Sequence, residues 1–177
     1  MSERCTSYQI ALVQMDCALF DVEANLNKAE ASIREAAGKG AKVICLPEVF
    51  NVGYFGSQIP EMMKYAEDEN GPSLTRMKNL AKELGVFILA PIFFATPEGV
   101  ENTAFLIDDE GVILGHYSKT HPVGDERTNL HRGSQYPVFD TKYGKIGMVI
   151  CYDVCFPETV RLLAPALSWA VLLTAVR

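Results

Sequence analysis

Gly147-Met148-Val149-Ile150-Cys151-Tyr152-Asp153 is the stretch on which the reading of this chain turns. Its branched apolar run reads as a buried strand, and Pro157-Glu158 opens a helix soon after. A cysteine at such a junction is held rigidly and points out of the sheet edge, where a substrate can reach it. Two other segments share the design. Val43-Ile44-Cys45-Leu46 runs into Pro47-Glu48, and Val112-Ile113-Leu114-Gly115-His116-Tyr117-Ser118 runs into Lys119. A carboxylate, an amine and a thiol, each at a predicted strand end, are the parts of a cysteine hydrolase.

The rest of the pattern predicts a mixed sheet. Tyr8 to Met15 reads as a buried strand. Asp21 caps a helix whose Val22, Leu26, Ala29 and Ile33 share a face, with Gly38 and Gly40 as its stop. Ser73 is the expected cap of a second helix ending at Gly85. Val86 to Phe94 reads as a strand that Pro91 bends or marks as an exposed edge. Asp108-Asp109-Glu110-Gly111 and Tyr143-Gly144 are hairpin turns. His121 to Gln135 reads as a polar loop, and Ala170 to Val176 as a last strand. Asn51 to Pro60 is an aromatic loop in which Tyr54 lines a pocket or packs at the surface. Helices alternating with strands early in the chain argue for an α/β core, to which the hairpins add antiparallel strands.

Composition narrows the function classes. The 177 residues suit one domain, 1–177, with 49% apolar and 21% charged residues. A net charge of -6 argues against nucleic acid or an anionic membrane as partner. No apolar signal core opens the chain and no stretch suits a bilayer span, so a cytoplasmic protein is expected. Five irregularly spaced cysteines argue against a disulfide framework, and Cys45, inside a strand, reads as an inert core thiol. His116, His121 and His131 form no spaced ligand set with the cysteines, so no metal is expected.

The chemistry requires coupling. A free thiol titrates near ~8.5 and a glutamate near ~4.3, so Glu48 needs burial or a second carboxylate before it can act as a base. Lys119 favours a thiolate and an oxyanion but opposes the rise of the glutamate, so the three act as one titrating unit.

Leu46-Pro47-Glu48 with Gly53-Tyr54, Tyr117-Ser118-Lys119-Thr120-His121, and Gly147 to Asp153 with Phe156-Pro157-Glu158 and Arg161 resemble, in order and spacing, the three signature regions of the nitrilase superfamily of carbon-nitrogen hydrolases. The resemblance extends from Tyr8 over nearly the whole chain. It implies an αββα sandwich that pairs into dimers, and amide or nitrile hydrolysis through a thioester without metal or organic cofactor. It implies Glu48 as general base, Lys119 as stabiliser of the tetrahedral intermediate, Cys151 as nucleophile, Glu126 as a second structural carboxylate beside Asp125, and the Tyr152 backbone N–H as an oxyanion donor. Ile150-Cys151-Tyr152-Asp153 with Phe156-Pro157-Glu158 looks more like the amidase and carbamoylase branches than like true nitrilases.

Two departures set further expectations. Val154 and Cys155 stand where acid-binding branches carry arginine, so a neutral or cationic substrate is favoured unless Arg127, Arg132 or Arg161 compensates. The family domain continues past the strand that ends this chain, so the sandwich is expected to be incomplete at its C-terminal side. Two competing readings stay open: an inactive nitrilase-like protein acting only through dimerisation, and a papain-like pairing of Cys151 with His121.

Overall fold

The computed structural model describes residues 7–164 and the backbone of residues 170–174. Strand β1 (Gln9–Leu12), helix α1 (Val22–Gly38) and strand β2 (Ala41–Cys45) form a parallel β-α-β unit. Asp21 caps α1 by accepting the Ala24 N–H at 3.0 Å, and Leu26, Ala29 and Ile33 are its buried stripe. A short helix, α2 (Ile59–Met62), begins at the end of the aromatic loop, and α3 (Pro72–Leu84) returns the chain to the sheet. Strands β3 (Phe87–Thr96), β4 (Gly99–Ile107) and β5 (Ile113–Ser118) complete a five-stranded sheet in the order β1-β2-β3-β4-β5. The single-turn helix α4 (Glu126–Asn129) interrupts the expected polar loop. The second sheet joins β6 (Val138–Thr141) and β7 (Gly144–Ile150) as a hairpin. A 3-10 turn over Cys151–Cys155 and helix α5 (Pro157–Leu163) then carry the chain to β8 (Ala170–Thr174), parallel to β7.

The layers follow from strand alternation. Ile44, Ile88 and Phe105 face α1 and α3, packing on Leu26, Ile33, Leu74 and Met77. Val43, Phe87, Leu89 and Leu106 face the other way, onto Ile146, Met148 and Ile150 of β7. Helix α5 covers the far side of β7, so the stack is helix, sheet, sheet, helix. Gly115 on β5 makes the sheets' approach possible: a Cβ there would lie 2.4 Å from the Phe139 ring of β6.

Three expectations are corrected. β1 is not a buried strand. It is an edge strand whose Ala11 faces the helices, while Ile10 and Leu12, 40% and 65% exposed, lie on a face that the described strands of the second sheet do not cover. Pro91 does not mark an exposed edge: it is buried within β3. The β2–β3 ladder ends at Leu89, so Pro91 lies beyond its last rung and sits within the antiparallel pairing with β4. Ser73 does not cap α3. Gly71 is the cap and Pro72 the first residue, and Ser73 is buried, giving its N–H and hydroxyl to Glu67 at 2.8 and 2.5 Å. The last strand is expected over 170–176, of which residues 175 and 176 lie outside the described residues. Among the described residues, no helix is long and apolar enough to cross a membrane.

Candidate active site

The three strand-end residues converge. Glu48 follows β2, Lys119 follows β5, and both leave the first sheet at the same end. Lys119 Nζ lies 2.8 Å from Glu48 Oε1 and 2.8 Å from Glu126 Oε2, and all three side chains are essentially inaccessible. Cys151 follows β7 on the second sheet, and its thiol feels the charges of Glu48, Lys119 and Glu126. The cluster therefore sits on the seam between the sheets.

Local backbone explains how those side chains are presented. Val49 and Cys151 adopt φ of 47° and 46°, a left-handed conformation that is costly for side chains with a Cβ. At Val49 the chain reverses directly after Glu48, with Val52 and Gly53 donating N–H groups to its carbonyl. At Cys151 it leaves β7 for the 3-10 turn, throwing the thiol out of the strand line.

Asn102 is a member of this cluster that sequence reasoning missed. Its amide nitrogen donates to Glu48 Oε1 at 2.7 Å and to Glu126 Oε1 at 3.0 Å. The reversed amide orientation would set its oxygen against two carboxylates, so the charges fix its direction. Its residue lies on β4, just before the point where the hydrophobic pattern becomes legible as a strand, and a lone asparagine there carries no motif. Glu126, not the exposed Asp125, reaches Lys119, and it also accepts the Val123 N–H at 2.8 Å.

Burial is the chief influence on every titration here. It lifts the Glu48 carboxyl above its ordinary range against the pull of Lys119, and the charge on Glu126 adds to the rise. Burial works against the charge of Lys119, but Glu48 and Glu126 together outweigh it and hold the ammonium above its usual range. The Cys151 thiol is pushed up to about 11, by burial first and then by Glu48, with Lys119 opposing.

Tyr54 joins the cluster rather than the surface. Its ring lies 5.8 Å from Lys119 Nζ, and burial together with Glu126, Glu48 and Cys151 raises its phenol. With Gln14, Cys17, Pro47 and Glu48 it lines a cavity of about 290 Å³ that opens onto the carboxylate. Arg127 and Arg132 line a different cavity, of about 340 Å³, with His121, Tyr152 and Phe156. Arg161 is exposed on α5, as are Val154 and Cys155 just before it. His121 does not turn to the thiol. Its Nδ1 meets Asp153 and Thr120, both at 3.0 Å, and its ring stacks on Phe156. Cys45 is a core thiol, its pKa raised by burial to about 12. Among the described residues, no group of three His, Cys, Asp or Glu side chains is arranged to hold a metal ion.

The family model described as carbon-nitrogen hydrolase matches residues 9–167. An N-carbamoylputrescine amidase of Solanum lycopersicum is 38% identical over 171 residues, covering 93% of this chain and 57% of the relative. The human omega-amidase NIT2 is 32% identical over 169 residues, covering 90% and 60%. A solved amidase from Nesterenkonia superposes with a TM-score of 0.85 at 29% identity, covering 94% of this chain and 64% of that one. A variant of that amidase, 28% identical to this chain with a TM-score of 0.85 and the same coverage of 94% and 64%, carries the acetamide moiety of fluoroacetamide covalently on its active-site cysteine. The chain thus spans 57% of the length of the Solanum lycopersicum relative.

Proposed function

The chain belongs to the carbon-nitrogen hydrolase family, and on that premise we propose that it cleaves the C–N bond of small amides or N-carbamoyl compounds through a thioester on Cys151. The observation that carries this reading is the buried Glu48–Lys119–Glu126 cluster, whose charges act on the thiol of Cys151. The cysteine adduct of the Nesterenkonia amidase supports the choice of nucleophile.

A thiol at about 11 is protonated at neutral pH, so its proton leaves as the sulfur attacks rather than beforehand. Glu48 takes that proton while the sulfur bonds to the carbonyl carbon. The carbonyl oxygen becomes an oxyanion between Lys119 Nζ and the Tyr152 N–H. As the intermediate collapses, Glu48 returns the proton to the departing nitrogen, the C–N bond breaks, and ammonia or an amine leaves. Water then attacks the thioester, again losing its proton to Glu48, and the released thiolate takes that proton back. Glu126 and Asn102 hold Lys119 and Glu48 in register, and Tyr54 forms one wall of the cleft.

The test is ammonia release from a panel of aliphatic, dicarboxylic and N-carbamoyl amides. Cys151→Ala should abolish turnover, by ~10³-fold or more, with unchanged circular dichroism. Glu48→Gln should cost about 10²–10⁴-fold in kcat. Ammonia release that survives Cys151→Ala would overturn the mechanism.

A further inference from the structure

The carboxylate of Asp153 has no role in the chemistry above, yet it is completely buried and heavily used. Its Oδ2 accepts from Tyr117 Oη at 2.8 Å and from the Ile150 N–H at 3.0 Å. Its Oδ1 accepts from Thr120 Oγ1 at 3.1 Å, from the His121 N–H at 2.9 Å and from His121 Nδ1 at 3.0 Å. An acceptor-only carboxylate opposite Nδ1 requires that nitrogen to carry the ring hydrogen. Ile150 is the residue before Cys151, whereas Tyr117, Thr120 and His121 flank Lys119 on both sides. One side chain therefore joins the segment that presents the sulfur to the segment that presents the ammonium, across the seam between two sheets.

We propose that Asp153 is a positioning residue: it holds the Cys151 turn against the Lys119 segment and keeps the thiol aimed into the cleft. The idea rests on the hydrolase reading for its effect on turnover, but not for its effect on the thiol. Cys151 sits at a positive φ, a conformation that persists only where surrounding contacts over-determine it. The Ile150 N–H bond to Asp153 fixes the residue before it, and the Phe156 N–H bond to the Asp153 carbonyl, at 3.1 Å, closes the turn behind it. On the other side, His121 is clamped between this carboxylate and the Phe156 ring, whose centroid is 3.8 Å from its own. Five donors converge on two oxygens. An asparagine of the same size would turn an amide NH₂ toward at least two of them, so shape alone cannot replace the charge.

The experiment measures Asp153→Asn on the full chain in two ways. The first follows iodoacetamide labelling of the Cys151 peptide by mass across pH. The second separates kcat from KM on the best amide. Release of the turn should give the thiol more water and move the labelling midpoint down from about 11 toward the free-thiol range. Turnover should fall ~10²-fold in kcat with KM within roughly threefold, as expected for misplacement rather than lost binding. Tyr117→Phe and His121→Ala each delete one bond to the carboxylate and should give smaller shifts in the same direction. An unchanged midpoint with kcat within twofold in folded Asp153→Asn overturns the proposal. If that variant fails to fold, unchanged midpoints in both Tyr117→Phe and His121→Ala overturn it instead. A wild-type chain that turns over no amide would sink the hydrolase reading while the labelling profile still decides the role of Asp153.

Discussion

At the scale of single residues, the cluster is a contest between burial and charge, and its outcome can be read from one sulfur. Labelling of Cys151 in the wild-type chain should rise with a midpoint of about 11. Negative charge on Glu48 lifts that midpoint, so Glu48→Gln should lower it. The ammonium of Lys119 depresses it, so Lys119→Met should raise it, while cutting turnover about 10²–10³-fold through loss of an oxyanion partner. Opposite signs for these two substitutions are the expected outcome; the same sign would mean the thiol lies outside their field. Much of this was legible in the chain, because each strand-end motif keeps its chemical group beside its strand. Asn102 was not, since its significance arises only when β4 brings it between two acids 54 and 24 positions away. Asp153 stood in plain view after Cys151-Tyr152, but four of its five donors lie on a segment more than 30 positions earlier, and no local pattern announces them. The choice between Asp125 and Glu126 was likewise a matter of which face the turn of α4 would bury.

At the scale of elements, the loop from Thr120 to Tyr136 is held more tightly than its polar composition suggests. The Gly133 N–H donates to the Lys119 carbonyl at 2.9 Å, closing this loop onto the strand end that carries the ammonium. A Cβ at Gly133 would fall 2.1 Å from the Ser118 carbonyl oxygen, a backbone atom that cannot swing aside. Gly133→Ala should therefore cost about 1–3 kcal/mol, read by urea unfolding, and should weaken turnover by displacing Lys119. Wild-type stability in that variant would mean the loop has slack. The edge position of β1 and the burial of Pro91 within β3 show why strand placement was harder to read than strand existence. Alternation reveals which residues are apolar on one face, but it does not say how many neighbours a strand will have, and a proline is harmless wherever the adjoining ladder has already ended.

At the scale of the whole molecule, the groups proposed to react belong to different layers. Glu48 and Lys119 are carried by the five-stranded sheet and Cys151 by the other, so the packing of Met148, Ile146 and Ile150 against Phe87, Leu89 and Leu106 sets their separation. Met148→Ala should cost about 2–5 kcal/mol in urea unfolding and should lower turnover although Met148 is not among the reacting groups. Full activity with that loss of stability would show the layers to be independent of the chemistry. The seam also has a mechanical meaning. Because sulfur and ammonium ride on opposite slabs, a force that compresses or shears the slabs changes the encounter without altering any atom in the cleft. Hydrostatic pressure, which squeezes out internal voids, thereby becomes a dial on the reaction.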